Sequence, residues 1–372
     1  MQVVYQDQSF NLPAEALGGV RGAPLLKPAD ELLLNWWQEQ EDTELVVLHD
    51  HFGVLTTVAT AFGASVTHCS DSFAHHRRVR ESLAINGLPA RELGLPYPNF
   101  APATSPSLAL LHLPKYLDLF DSYLRHLTRQ IPENFQLATA FQTRHFTPRI
   151  LEIAGRYANK VEQSRAYKKA RTLVLSDWKR AAYEEPPTAE INFQGKTYQQ
   201  LPGVFSAGHI DYATQFLLEQ WGSAAELQNL SPPEKILDIG IGNGVIGDQL
   251  LSNHYPAAAL FGTDVSHVAI QSARLNNSEA DYTWTDKLTD LPGGTYDLIV
   301  TNPPFHEGHR NVIDTTLGLF KQAAERLAPG GNLVVVANRH LNYATHLQRI
   351  CGNVLEVAGN NKFVIYKSTS RP

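Results

Sequence analysis

Short unbroken runs of apolar residues alternate along this chain with longer amphipathic stretches. Such runs suit the strands of a parallel sheet, which helices cover on both faces, so that no in-and-out alternation is needed. Glu44-Leu-Val-Val-Leu-His-Asp50 predicts one strand, followed by His51-Phe52-Gly53 and a helix over 54–61. Lys235-Ile-Leu-Asp-Ile239 predicts another, running into the turn Gly240-Ile-Gly-Asn-Gly244 and a second helix. A third, Tyr296-Asp-Leu-Ile-Val-Thr301, stops abruptly at Asn302-Pro303-Pro304-Phe305. Further helices are expected over 31–43 and 212–219, a hairpin around Gly195 within 191–198, and a strand over 332–337. Alternating strands and helices imply an α/β fold. Ligands of such sheets gather beyond the carboxyl ends of the strands, which brings the glycine turn and the Asn-Pro-Pro-Phe stretch to one crevice.

The pattern repeats at an offset of roughly 190 residues. Ala64-Ser-Val-Thr-His-Cys-Ser-Asp71 corresponds to Ala258-Ala-Leu-Phe-Gly-Thr-Asp264, and Ser82-Leu-Ala-Ile-Asn86 to Ser272-Ala-Arg-Leu-Asn276. Leu108-Ala-Leu-Leu-His-Leu-Pro-Lys115 falls where Leu298-Ile-Val-Thr-Asn-Pro-Pro304 falls. The length, 372 residues, accommodates two such domains. The first copy lacks the run of glycines, and Leu113-Pro-Lys-Tyr116 replaces Asn-Pro-Pro-Phe. We therefore expect a degenerate domain over 1–175, a connection with a hairpin over 176–200, and a catalytic domain over 201–372.

The chemistry follows from residue types. Gly242-Asn-Gly-Val-Ile-Gly247 satisfies the dinucleotide pattern G-x-G-x-x-G, with Asp264 at a suitable distance to hold ribose hydroxyls. Asp238 argues against a dinucleotide, because a carboxylate just before the loop repels a pyrophosphate. S-adenosyl-L-methionine has no phosphate and carries an ammonium and a sulfonium, for which the same carboxylate is an asset. Asn302 and Pro303 supply two carbonyl oxygens that can accept both N–H bonds of an exocyclic amine, draw its nitrogen towards tetrahedral geometry and aim its lone pair at a methyl donor. Pro304 stiffens that turn, and Phe305 offers a face to a base extruded from its stack. Asp286 either meets the adenine amine of the donor or is a solvated turn residue. His306-Glu-Gly-His309 lacks metal-site spacing and a third ligand, so no metal is expected.

Charge changes the picture in one respect. The chain has a net charge of -6, yet from Arg144 to Arg180 ten lysines and arginines face only Glu152, Glu162 and Asp177, a local net charge of +7. A second cluster is His75-His-Arg-Arg-Val-Arg80. Each is either a nucleic-acid surface, for which Arg165, Lys168, Lys169 and Arg171 are the candidates, or a solvated helix face. Arg339, at the end of the 332–337 strand, either reaches a substrate phosphate or caps the sheet. Two cysteines, Cys69 and Cys351, are too few for a disulfide framework. With no signal pattern and no membrane-length apolar run, a cytoplasmic monomer is expected.

Pro202-Gly-Val-Phe-Ser with Gly208 and Asp211, Asp238-x-Gly-x-Gly-Asn-Gly244, Asn302-Pro-Pro-Phe-His306, Ala337-Asn-Arg-His-Leu341 and Asn360-Asn-Lys-Phe363 together resemble the bacterial ribosomal RNA guanine-N2 methyltransferases. The last two motifs look more like the large-subunit (23S rRNA) branch than the small-subunit one. The resemblance spans nearly the whole chain and implies two tandem Rossmann-like class I methyltransferase domains, the N-terminal one degenerate. It further implies a donor site on Asp238, Gly240, Gly242, Asn243, Gly244 and Asp264, with Phe205, Gly208, Asp211 and Asp286 beside it, and guanine held by Asn302 to Phe305. Ile241 departs from relatives that often have Cys-Gly. The activity implied is N2-methylation of a guanine in 23S rRNA. The alternatives are the same reaction on 16S rRNA and glutamine methylation of a translation protein.

Overall fold

The computed structural model describes residues 2–13, 26–40, 42–89, 93–94, 106–129, 131–179, 188–292, 294–303 and 310–371. The chain divides into two compact units, Met1–Pro186 and Pro187–Pro372.

The first unit opens with a hairpin, β1 (Gln2–Tyr5) and β2 (Gln8–Asn11), and α1 (Pro28–Gln38). There follow β3 (Glu44–Leu48), α2 (Val54–Ala61), β4 (Ser65–Cys69), α3 (Phe73–Ile85), β5 (Leu93–Gly94), β6 (Leu108–His112), α4 (Leu117–Leu127), β7 (Gln136–Gln142), α5 (Pro148–Tyr157), β8 (Ala158–Gln163) and β9 (Ala170–Trp178). The sheet runs β5-β4-β3-β6-β7-β9-β8, parallel through β7 and antiparallel at β9 and β8. In β3, Val46 and Leu48 enter one core and Leu45 and Val47 the other, which is why that segment is apolar throughout.

The second unit also opens with a hairpin, β10 (Ala189–Phe193) and β11 (Lys196–Gln200). Gln194 and Gly195 form its two-residue loop with φ 45° and 81°, as the twist of a tight hairpin requires. Then come α6 (Tyr212–Trp221), α7 (Ala225–Gln228), β12 (Lys235–Ile239), α8 (Val245–Asn253), β13 (Ala259–Asp264), α9 (His267–Asn276), β14 (Asp281–Trp284), β15 (Tyr296–Thr301), α10 (Arg310–Glu325), β16 (Leu327–Asn338), α11 (Tyr343–Cys351), β17 (Leu355–Gly359) and β18 (Phe363–Thr369). The order β14-β13-β12-β15-β16-β18-β17 is the same topology, strand for strand. Ile191 and Tyr198 of the hairpin pack with Ala213, Leu217 and Trp221 in this unit's core.

The two units also agree in their hydrogen bonds. His49 N donates to Cys69 O and Gly240 N to Thr263 O, both at 2.8 Å. Asn86, at the end of α3, exchanges bonds with the backbone of Asn11 in β2, and Asn276, at the end of α9, does the same with Gln199 in β11. This register corrects one expected correspondence. Ser70, not Asp71, follows Cys69 at the place where Asp264 follows Thr263.

Three boundaries differ from expectation for local reasons. Helix α1 starts at Pro28, whose fixed φ suits a first turn, and ends at Gln38 before Asp42, which accepts Glu44 N and steers the chain into β3. Strand β3 ends at Leu48 because His49 adopts φ 58°. Strand β16 extends back to Leu327.

Asn276→Ala would leave the Gln199 N–H and O and the Asn243 O without the partner that now joins hairpin to helix. We expect a loss of about 1–3 kcal/mol, measurable as a lower urea midpoint with unchanged slope.

Candidate functional site

Strand β12 delivers Asp238 on the face that carries Ile236, under the first turn of α8. The carboxylate is fully buried. Its Oδ2 accepts from Gly247 N at 3.0 Å, and its Oδ1 is buried with no partner. Burial pushes this carboxyl up to about 7, against the Gly247 N–H, which favours the anion, and the nearby Asp264 charge adds to the rise.

The loop that follows needs left-handed backbone at Gly240 and Gly242, with φ 72° and 56°. A Cβ built on either would meet nothing within 4 Å, so the loop presents bare backbone to open space. Gly244 instead packs against the Ala273 backbone, which a Cβ would approach to 3.3 Å. Asp264, at the end of β13, holds the loop by accepting Gly242 N at 3.0 Å and Ser266 N at 2.9 Å. Asn243 contributes backbone only: its side chain is turned inward, donating to Gln200 Oε1 at 3.0 Å and accepting from Val245 N. Asp286 follows β14 at the same end of the sheet. All these residues lie at or just beyond the carboxyl ends of β12, β13 and β14.

The neighbouring strand β15 ends at Thr301, whose hydroxyl donates to Ile239 O at 2.8 Å and ties the two strand ends together. Next comes Asn302. Its Nδ2 donates to Asp211 Oδ2 at 3.0 Å and to Thr214 Oγ1 at 2.9 Å. A carboxylate only accepts, so the amide nitrogen must face Asp211 and the amide oxygen must face away. That oxygen is buried and has no partner. Asp211 is at the same time the N-cap of α6, accepting Ala213 N and Thr214 N, so the amide is referred to a helix end. Pro303 is buried beside it. Pro304, Phe305 and the His306-Glu-Gly-His309 stretch lie outside the described residues. Phe205, 47% exposed, and Gly208, with φ 83°, stand on the loop leading to Asp211. Gln200 gathers that loop by donating towards the carbonyls of Val204, Phe205 and Ser206. Thr214 and Gln200 escaped the sequence analysis. Asp211-x-x-Thr214 is a helix N-terminal spacing and was the only available signal for Thr214.

Residues 195–367 match the family Methyltransferase small domain, and residues 26–179 match the RLMG N-terminal domain. The Ribosomal RNA large subunit methyltransferase G of Stutzerimonas stutzeri is 31% identical over 99% of this chain and 96% of its own length. That of Pseudomonas paraeruginosa is 33% identical over 93% of this chain and 94% of its own length. The chain belongs to the ribosomal RNA large subunit methyltransferase G family. Its fold is shared with a T. thermophilus 16S rRNA N2 methyltransferase, RsmC, solved with AdoMet and guanosine, at TM-score 0.76 and 22% identity, covering 100% of this chain and 98% of the other.

In this member of the family the first unit treats the equivalent crevice differently. His49 occupies the place of Gly240, and its ring lies 4.6 Å from that of His51 and 4.9 Å from that of His75. Burial holds His49 down to about 3 and keeps His51 and His75 well below the usual imidazole range, so the three rings are neutral. Asp50 spends both oxygens internally, on Gly53 N and on Thr56 N and Oγ1. Burial works against a proton charge on His112 as well, but Asp30, 2.5 Å from its Nε2, outweighs burial and raises it. Among the described residues no group of His, Cys, Asp and Glu is arranged to hold a metal, and no helix is long and apolar enough to cross a membrane.

The basic candidates scatter. Arg165, Lys168 and Lys169 stand exposed on the turn between β8 and β9, but Lys168 pairs with Glu31 at 3.0 Å. Arg171 is half-buried within β9. The 75–80 cluster is not a cationic face: α3 turns His76 and Val79 into the core, while Arg77 pairs with Glu81 and Arg78 donates to His51 O. Arg339 donates to Asn360 O and to Glu356, both at 2.9 Å, so of its two expected roles the capping one is formed.

Because Asp238 titrates higher in the folded protein than in the unfolded chain, its contribution to stability is complete below its unfolded value near 3.8 and is lost as pH rises through about 7. Removing the ionisable group by Asp238→Asn should flatten the fall in stability of the ligand-free protein between pH 5 and 8. Denaturant titrations of both proteins across that range test this, and parallel pH profiles would contradict it.

Proposed function

We propose that the second unit transfers the methyl group of S-adenosyl-L-methionine to the exocyclic N2 of a guanine in 23S rRNA. The observation that carries this reading is the buried, partnerless Oδ1 of Asn302, held facing away from Asp211 and Thr214 by the two bonds of its Nδ2. A buried acceptor left open costs free energy in the empty protein, and a substrate N–H that fills it regains that energy. The names of the 29–33% identical relatives point to large-subunit RNA as the substrate.

The donor fits this site. Asp238 offers a buried carboxylate oxygen with no partner, which the donor's cationic end would hold in the anionic form, and Gly240 and Gly242 leave room against bare backbone. Asp264, fixed by the loop's own N–H groups, takes the ribose hydroxyls, and Asp286 the adenine edge. When bound, the donor supplies a methyl on a sulfonium, whose departure neutralises the leaving group. The protein's part is orientation. Asn302 Oδ1 and the Pro303 carbonyl each accept one amine N–H, which turns the nitrogen lone pair towards the methyl. Pro304 stiffens the turn and Phe305 takes the guanine face. Once the N–C bond has formed, the amine is cationic and gives up one proton to solvent through the accepting oxygens. Asp211 acts here by aiming Asn302, while Phe205 and Gly208 border the donor.

The first unit is a degenerate copy. Imidazoles stand where bare glycine backbone lies in the second unit. Its exposed Arg165, Lys168 and Lys169, with Arg171, serve RNA recognition; Arg339 holds its own turn. The enzyme works in the cytoplasm as a monomer and without a metal.

Labelled methyl transfer to 23S and 16S rRNA lacking the modification, followed by nucleoside mass spectrometry, tests the reading. N2-methylguanosine confined to 23S is expected; label in 16S, or in glutamine of a translation protein, would overturn the substrate. Calorimetry should find one donor site per chain, and two would refute the degeneracy of the first unit. Asn302→Ala should reduce kcat by about 100-fold or more with donor affinity changed less than about threefold, and Thr214→Val should reduce kcat by roughly tenfold. Equal losses in kcat and in donor affinity would remove the role given to Asn302.

A further inference from the structure

Two motifs remain without a role: Ala337-Asn-Arg-His-Leu341 and Asn360-Asn-Lys-Phe363. In the structure they form one device. Asn360 Oδ1 accepts both Lys362 N at 2.8 Å and Phe363 N at 2.7 Å, closing a tight turn between β17 and β18. Arg339 fixes that turn from the side: its Nε donates to Asn360 O, and its backbone N–H donates to Lys362 O at 2.9 Å. Phe363 is anchored beneath, its ring stacked on Phe216. What this framework holds up is a lysine. The Lys362 ammonium lies 5.1 Å from the Phe363 ring centre and 5.7 Å from that of Tyr212.

Tyr212 is the residue next to Asp211, the group that aims Asn302. Its large ring is 59% exposed, with the His209 ring 5.3 Å away. An exposed aromatic face beside a cation on a fixed turn, one residue from the carboxylate that aims the Asn302 amide, has the chemistry of a nucleotide platform. The ring takes a base face and the ammonium takes a phosphate. Such a platform also answers a physical need. A guanine taken out of its stack abandons its neighbours, and the enzyme must offer them a replacement surface or meet the unstacking cost unaided.

We propose that Tyr212 and Lys362 form a ledge that receives the ribonucleotide adjoining the target guanine, the base stacking on Tyr212 and the phosphate meeting Lys362. This rests on the reading of Asn302 as the guanine acceptor. Every base has an aromatic face, so the ledge tolerates any neighbour but requires that the neighbour be unstacked. It therefore selects for RNA context through local structure rather than through sequence. Arg339, whose guanidinium is engaged with Asn360 and Glu356, acts on RNA only by presenting Lys362.

The test uses the full-length enzyme and a short RNA carrying the guanine identified by mass spectrometry, with 2-aminopurine on its 5′ or its 3′ side. Binding should change the fluorescence at one of the two flanks. Tyr212→Ala should abolish that change and raise KM for RNA on the order of tenfold, while kcat at saturating RNA and donor affinity stay within about twofold; Tyr212→Phe should restore both. Lys362→Ala should reduce the slope of log affinity against log salt by about one. A Tyr212→Ala enzyme with wild-type KM and unchanged fluorescence, or one whose donor affinity falls in step with KM, overturns the ledge while leaving the guanine chemistry intact. If the wild-type enzyme methylates no guanine N2, the reading on which the ledge rests fails first, and the ledge with it.

Discussion

The bond between the Asn302 amide and the Asp211 carboxylate joins two segments 91 residues apart in sequence, and it has only one chemically sensible orientation. Asp211 also caps α6, so the same carboxylate that starts a helix sets which atom of Asn302 is presented. Around that contact the rest of the second unit falls into place. Thr301 ties the end of β15 to β12, β12 carries Asp238 beneath α8, and Asp264 pulls the glycine loop against β13. Each of these is a side chain or loop closing on a neighbouring strand end, and together they leave two buried oxygens, one on Asp238 and one on Asn302, without partners. Each such atom costs free energy until a partner reaches it.

The two units show how little must change to alter such a crevice. They share strand order, the hairpin latched by Asn86 or Asn276, and the strand-end bonds of His49 or Gly240. At the first loop position one unit has glycine and open space, the other an imidazole at φ 58° whose neighbours are two further imidazoles. Desolvation and the neighbouring imidazoles both disfavour a charge on these rings, which stay neutral. The scaffold is retained; the side chains at the first loop are not.

Charge follows a similar division between holding and presenting. The chain as a whole is acidic, and several cations that look available in sequence are used internally: Arg77, Arg78, Arg339 and Lys168 each bond a nearby carboxylate or carbonyl. The turns between the last antiparallel strands of each sheet carry exposed lysines, Lys169 in the first unit and Lys362 in the second, each with a carbonyl that accepts from the residue following the strand alongside.

The sequence alone determined the α/β class, the repeat, the glycine loop and the Asn-Pro-Pro-Phe stretch, because these depend on local apolar runs, on glycines at positions of positive φ and on residue types that few chemistries need in that order. Strand boundaries at 235–239 and 296–301 were legible for the same reason: a strand buried on both faces is apolar to its ends. Only the tertiary structure decided what the side chains do. That Asp211 aims Asn302, that Asn243 turns inward to Gln200, that Ser70 rather than Asp71 matches Asp264, and that Arg339 holds a turn are all consequences of contacts between segments far apart in the chain. Spacing along a chain records which residues share an element; it carries no record of which hydrogen bond a polar side chain finds once two elements meet.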